Sequence, residues 1–574
     1  MSDHPLYITT GDPNFHDLCG GRSSAGGIRI RHHESGIDPL SVVIAGVAGT
    51  GKTTLAIQLA CKTLERNNKF VTANPKWGND RIWPSNSMGI VYTLDQTPEE
   101  IAESIVNFGW LDRKDLLLVD GRQKVKSIRQ GMTGLDKPPV LVIRAVPFEI
   151  DMAGLSALIL TDTRDERLGG RVRLVVIDSV NTIRHKTNER EGYLSTFRKL
   201  LRPFAGPEEA INAEESDDRS NRFCTLLTLE IDPNAPLHEE YYPDCVIKLD
   251  RDRDAYGRRG IEIRKARQQE HLIGIHDMRI ERSKGIRVFP SISSRAWQVE
   301  SASRSRQAES RAESSKQPSG AVDKMASAAG EAGRSPEAER DLIQGSPTTK
   351  FGCDRVDNLL ETERLIQGSS TLLWGEPGSG KTDLCVQFLA AGLEQNSSGV
   401  LLVTTKVDPT TFSDMLVKEL QTRNSPENNR KKVADHLKIV EAMDPFRSHA
   451  VTFADVVDRC DDARQSEIPI KRAVVFGLGL LEENPLARDE QWRFISVLIA
   501  FLRSHDISTL VVDWPIEVSL HADHARPRAS KLCANEIFTR SNPTTRKSEI
   551  EVTRWNHAAI PVRSNRISNK KKSK

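Results

Sequence analysis

The sequence predicts an α/β protein with two tandem domains, each a mostly parallel, twisted sheet flanked by helices, and three observations carry that prediction. The pattern G-x-x-x-x-G-K-[ST] occurs twice, as Gly46-Val47-Ala48-Gly49-Thr50-Gly51-Lys52-Thr53 and as Gly375-Glu376-Pro377-Gly378-Ser379-Gly380-Lys381-Thr382. Each copy follows an apolar run that reads as a buried strand, residues 41–45 or 370–374, and precedes a helical stretch, residues 54–64 or 383–393. Beyond the loops, apolar strands keep alternating with helical segments. That implies right-handed crossovers between parallel strands, with nucleotide at their C-terminal edge.

The elements repeat in order. Thr10-Gly11-Asp12-Pro13-Asn14-Phe15-His16-Asp17-Leu18 leads into the first loop, and residues 349–360 lead into the second. After each loop helix comes an apolar strand, 89–93 or 400–404, and then a proline, Pro98 or Pro409. Later strands pair as 174–177 with 473–476 and 225–229 with 509–512. Residues 298–345 are rich in Ser, Ala, Glu and Arg with few large apolar side chains, which predicts a disordered linker. The expected division is therefore a domain at 1–297, a linker at 298–345, a second domain at 346–562 and a disordered basic tail at 563–574. Polar insertions at 74–87 and 207–221 read as surface loops.

Composition excludes several classes. The 574 residues include 81 Lys and Arg against 79 Asp and Glu, a net charge of +2 that argues against a generic polyanion binder. Eight cysteines without a C-x-x-C pair fit reduced thiols better than a disulfide framework or a zinc site. The first residues lack the basic and apolar regions of a signal peptide, and no apolar run approaches the roughly 20 residues that span a bilayer. The expectation is a cytoplasmic protein with no membrane segment.

The chemistry starts at the loops. Gly46, Gly49 and Gly51, like Gly375, Gly378 and Gly380, let backbone N–H groups wrap phosphates at a helix N-terminus. Lys52 and Lys381 reach β/γ oxygens, Thr53 and Thr382 supply hydroxyls to Mg²⁺, and Thr54 follows in the first helical turn.

These residues resemble the KaiC-like branch of the RecA superfamily of P-loop ATPases, in its tandem form with a degenerate second domain. The resemblance rests on the lead-in to the first loop and on Leu94-Asp95-Gln96-Thr97-Pro98-Glu99-Glu100-Ile101 followed by Phe108-Gly109-Trp110. It rests also on Val175-Val176-Ile177-Asp178-Ser179 and on Glu262-Ile263-Arg264-Lys265-Ala266-Arg267. It implies two RecA-like domains, ATP and Mg²⁺ as cofactors, and a homo-oligomeric ring, hexameric in such relatives, that hydrolyses ATP between subunits. Asp178, ending an apolar strand, then holds the metal through water.

Asp95 and Gln96 stand where such relatives carry two glutamates that orient the attacking water. Asp95 is one methylene shorter, and a misplacement of about 1 Å can cost ~10²-fold, so slow hydrolysis is expected. Lys265 and Arg267 fit a K-x-R pair that reaches a neighbouring subunit's phosphates; the bland alternative is a solvated basic face. In the second domain the corresponding positions read as Lys406-Val407, Gly477 (with Asp513 a rival for the metal strand), Val552 and Arg554, so nucleotide is held there structurally, or hardly at all, rather than turned over. Ser530 lies near where some relatives are phosphorylated, but the missing acids argue against kinase activity.

His521-Ala522-Asp523-His524 reads as a loop rather than a metal site, and Trp374 as a packed strand residue rather than an adenine platform. The favoured use is a regulatory or signalling assembly with a protein partner. A DNA-acting motor is the rival that the basic tail favours and the neutral net charge disfavours, so nucleic acid is a partner not favoured. A pseudo-ATPase scaffold is the third reading.

Overall fold

The computed structural model describes residues 6–20, 26–33, 36–73, 83–84, 86–120, 138–163, 171–184, 197–198, 200–201, 222–231, 238–251, 258–267, 269–295, 347–360, 364–394, 398–404, 407–423, 429–441, 448–476, 485–513, 528–541, 548–555 and 558–564. They form two compact units, residues 1–291 and 292–574.

In the first unit β1 (Ser41–Gly46) enters the loop and α2 (Lys52–Ala73) leaves it, after α1 (Pro13–Leu18) in the lead-in. Then follow β2 (Met88–Thr93), α3 (Pro98–Asn107), β3 (Leu116–Val119), β4 (Leu141–Ala145), α4 (Met152–Thr163), β5 (Val172–Asp178) and α5 (Asn181–Arg184). The unit ends with β6 (Cys224–Glu230), β7 (Cys245–Arg251), β8 (Arg259–Ala266), β9 (His276–Glu281) and β10 (Gly285–Phe289).

The sheet order is β10-β9-β8-β7-β1-β6-β5-β2-β4-β3, ten strands, parallel from β7 to β3 and antiparallel from β8 onward. Both faces are covered, so the central strands are apolar throughout rather than alternating. Val42, Ile44, Val176 and Leu226 pack towards α2, and Val43, Ala45, Val175 and Leu227 pack towards α4.

The second unit repeats this order with β11 (Ser370–Gly375), β12 (Gly399–Thr404), β13 (Leu437–Glu441), β14 (Ile470–Phe476), β15 (Ser508–Asp513), β16 (Asn535–Ser541), β17 (Ser548–Trp555) and β18 (Ala558–Ser564). Its sheet runs β13-β12-β14-β15-β11-β16-β17-β18. The helices are α6 (Asp354–Leu360), α7 (Lys381–Leu393), α8 (Pro409–Arg423), α9 (Asn429–His436), α10 (His449–Gln465) and α11 (Pro485–Ser504).

Among the described residues the units differ at both edges: three strands, β16 to β18, stand beyond the second loop strand where β7 to β10 stand beyond the first. β13 pairs directly with β12, whereas β4 lies between β2 and β3. Arg144 of β4 is fastened there by Asp162 of α4 at 2.5 Å, and the Tyr92 hydroxyl donates to the same carboxylate at 3.0 Å. Such a buried pair needs these additional bonds to offset its desolvation.

Two sequence expectations change. The insertion at 74–87 is not wholly a surface loop: Trp83 is fully buried and its indole N–H donates to the Asn68 side chain at 3.0 Å. Trp83 anchors this end of the insertion. Arg563, expected to open the basic tail, instead pairs with Val552 in the last strand, which runs to Ser564, and residues 565–574 lie outside the described residues. The expected linker, the 207–221 insertion and His521–His524 lie outside the described residues. Trp374 is a core residue, with its ring against Phe538 at 4.6 Å and its indole N–H donating to Glu536 at 3.0 Å. No described helix is long and apolar enough to cross a membrane, and no group of three metal-ligating side chains occurs among the described residues.

Candidate functional site

The first loop connects the C-terminal end of β1 to α2. At Gly46 a Cβ would lie 2.5 Å from the Leu249 carbonyl oxygen, so only glycine fits between β1 and β7. Gly49 and Gly51 adopt φ of 75° and 102°, the left-handed region that lets successive amides turn inward. The Lys52 ammonium donates to the Val47 carbonyl at 2.9 Å. Burial holds the Lys52 pKa below its ordinary value, opposed by Glu230, Asp178 and Asp95 in that order. Arg251, ending β7, brings Nη1 within 3.7 Å of where a Gly49 Cβ would stand, a second cation beside the loop.

Asp178 is 3% exposed at the end of β5. The Thr53 hydroxyl lies 3.0 and 2.9 Å from its two carboxylate oxygens, and the Thr228 hydroxyl donates to Oδ1 at 2.5 Å. Burial pushes the Asp178 carboxyl up, and the two hydroxyls pull it back. A threonine hydroxyl and a carboxylate at 3 Å are the hard-oxygen donor pair that Mg²⁺ takes when phosphate and water complete its shell. The glycine-lined loop, the desolvated ammonium and this pair fit a magnesium nucleotide.

Asp95 and Gln96 follow β2, on the same edge of the sheet. Asp95 is exposed, and its carboxylate accepts from Ser179 Oγ at 2.7 Å and from Thr182 Oγ1. Gln96 is held by its backbone, whose N–H and carbonyl bond the Thr93 hydroxyl at 3.2 and 2.8 Å. Thr54 is half-buried in the first turn of α2.

Lys265 and Arg267 are elsewhere. Lys265 pairs with Val246, which pairs with Val43, so Lys265 stands three residues before the loop. That is about 10 Å short, and β8 runs away from the loop. Both cations instead face a short 3₁₀ turn, His238–Tyr241: the Lys265 ammonium donates to the Glu240 and Tyr241 carbonyls at 2.9 and 3.1 Å, and Arg267 to the Tyr241 carbonyl at 3.1 Å. Neither cation faces the loop of its own unit.

The second loop keeps its glycines, with φ of 146° at Gly375, 73° at Gly378 and 84° at Gly380. Lys381 is 6% exposed, and its ammonium donates to the Gly375 and Glu376 carbonyls at 2.7 and 2.6 Å. Thr382 is half-buried in the first turn of α7.

Strand register corrects two expected equivalences. Asp178 stands opposite Thr93, and Phe476 stands opposite Thr404, so Phe476 rather than Gly477 occupies the metal-strand position. Both strands bulge, but the extra residue is Arg173 in β5 and Lys471 in β14, so matching Arg173 with Arg472 slips the comparison by one. A bulge likewise shifts β8 and β17: Val246 pairs with Lys265 and Glu536 with Arg554, so Arg554 replaces Lys265, while Val552 is core at 1% exposure. Arg554 also keeps the contact, donating to the Ser530 and Cys533 carbonyls. Gly477 and Lys406 lie outside the described residues. Val407 matches Gln96, its N–H donating to the Thr404 hydroxyl at 2.9 Å.

Sequence reading missed Thr228, Glu230, Ser179 and Thr182. The signal was present in β6, where polar residues two apart end an apolar strand on one face.

A two-faced parallel sheet with a glycine-rich loop, a lysine, a threonine and a strand-end aspartate defines a P-loop ATPase of RecA-like fold. The family model described as ATPase: KaiC matches residues 82–293 and 349–474, more than half of the chain. The chain belongs to the KaiC ATPase family, whose members bind ATP with Mg²⁺ and are typically oligomeric. The first matched segment starts after the first loop, and the second includes the second loop. No curated protein matches the chain.

Proposed function

We propose that the chain is a cytoplasmic ring protein that hydrolyses ATP slowly at its first site and holds nucleotide without turnover at its second, so that ATP state governs assembly and partner recruitment. The observation that carries this reading is the Thr53–Asp178–Thr228 cluster in the first unit against Phe476 at the matching place in the second. At the first site Lys52 neutralises β/γ charge, Thr53 and Asp178 hold Mg²⁺, and Asp95, tied by Ser179 and Thr182, directs water. A Mg²⁺ held by Thr53 and Asp178 would supply charge neutralisation to the phosphate oxygens. Lys265 and Arg267 act on a neighbouring subunit's nucleotide, which makes a hexamer the expected form.

Kinase activity is not expected at Ser530, which is 8% exposed with its hydroxyl donating to Glu536 at 3.0 Å. Steady-state turnover of wild type, Lys52→Ala and Lys381→Ala tests the assignment. Lys52→Ala loses turnover and Lys381→Ala keeps it; equal rates in all three would discard it.

A further inference from the structure

We infer that Glu230 is a third carboxylate of the first phosphate site, set to accept the proton of the attacking water, so that the shortened Asp95 does not carry that role alone. The inference rests on the proposed hydrolysis at this site. Three observations support it.

The first is position. Glu230 ends β6 directly opposite Gly46, where the loop begins, and the next N–H, of Ile231, donates to the Gly46 carbonyl at 3.2 Å. The Asn181 side chain clamps its backbone from the other side, accepting from the Glu230 N–H at 2.6 Å and donating to its carbonyl at 2.9 Å. Side chains two apart on a strand share a face. Glu230 therefore points the way Thr228 does, towards Asp178 and Thr53, while Leu227 and Leu229 pack into the opposite core.

The second is charge. Of the acids that oppose the desolvation of Lys52, Glu230 acts most strongly, ahead of both Asp178 and Asp95. Asp95 already accepts hydroxyls at both oxygens, whereas Glu230 is exposed at the rim of the site.

The third is the second unit as an internal comparison. Asp513 pairs with Trp374 as Leu229 pairs with Ala45, so in sequence alone Trp514 takes the place of Glu230, and Val512 takes that of Thr228. Phe476 replaces Asp178 and, in sequence, Lys406 replaces Asp95. Contacts that merely hold the fold persist in both units: the threonine turn after β2 and β12, and the cation on the 3₁₀ carbonyls. The three acids disappear together, as expected of groups that share a reaction rather than a packing role.

In the step, a water O–H proton passes to a Glu230 carboxylate oxygen as the water oxygen bonds the γ-phosphorus and the bond to the β–γ bridging oxygen breaks. ADP departs, and the proton returns to the phosphate product.

The test uses the full chain, with ATP turnover and equilibrium binding of a fluorescent ATP analogue measured for wild type, Glu230→Gln, Glu230→Asp, Asp95→Asn and Lys52→Ala. Loss of a general base costs roughly 10²-fold or more in kcat. Glu230→Gln shows that loss with analogue binding unchanged, exceeds the loss in Asp95→Asn, and is partly rescued in Glu230→Asp. Full kcat in Glu230→Gln, beside a wild type that depends on Lys52, overturns the Glu230 inference alone. Loss of binding together with kcat overturns it in favour of a structural role. Turnover that survives Lys52→Ala sinks the underlying hydrolysis and the inference with it.

Discussion

Acidification should loosen the first unit through one histidine. His16 is 6% exposed in the lead-in to the first loop, with Nε2 2.7 Å from the Thr9 hydroxyl and Nδ1 buried without a partner. Burial, with a smaller contribution from the Arg66 charge, lowers its pKa from the ordinary 6.5 to about 4. Between those values the unfolded chain binds more protons than the folded one, so stability is complete above pH 6.5 and drains away as pH falls towards 4. Protonation at pH 5 costs the fold about 2 kcal/mol relative to pH 7.5, or ~30-fold in an opening equilibrium.

Hydrogen exchange of peptides covering α1 and the first half of α2, corrected for intrinsic rates, reads that change directly. His16→Gln, neutral at every pH, should flatten the dependence by that amount in the same peptides. Parallel pH profiles for wild type and His16→Gln would refute the argument, because a buried imidazole lacking a second partner must then take its proton at no cost to the fold.

Two further outcomes follow from other buried groups. Thr228→Val removes a donor from the buried Asp178 carboxylate, and a hydrogen bond to a charged group contributes about 1.5–3 kcal/mol; the Mg²⁺ concentration for half-maximal turnover should rise about tenfold or more. An unchanged Mg²⁺ titration would remove Thr228 from the metal site. Glu536 is fully buried and takes the Trp374 indole N–H and the Ser530 hydroxyl, with Arg554 at 3.8 Å. Glu536→Ala should destabilise the second unit by about 3 kcal/mol in denaturant melts, and mass spectrometry after incubation with ATP alone should find no phosphate on Ser530.

Much of the architecture was legible because it is local. The glycine spacing, the apolar strands and the polar ends of those strands are short-range patterns that sterics and burial impose whatever the rest of the chain does. Lys52 and Thr53 were identifiable from such patterns and Asp178 and Asp95 from the family resemblance, and the structure brings all four to one sheet edge. Comparing the two domains position by position failed twice, at Gly477 and Val552, because likeness of residue type guided the match, whereas register between strands distant in sequence sets the equivalence. Trp83 was misjudged because a polar insertion says nothing of the hole one aromatic can fill.

By itself, then, the sequence determined two phosphate loops on two parallel-sheet domains and the scarcity of acids in the second. Tertiary structure decided which residues face one another. It turned Lys265 and Arg267 away from their own loop, aligned Phe476 with Asp178, and placed Glu230 against Gly46. Those outcomes depend on hydrogen-bond register between strands far apart in the chain, and a shift of one residue reverses the face on which a side chain lies.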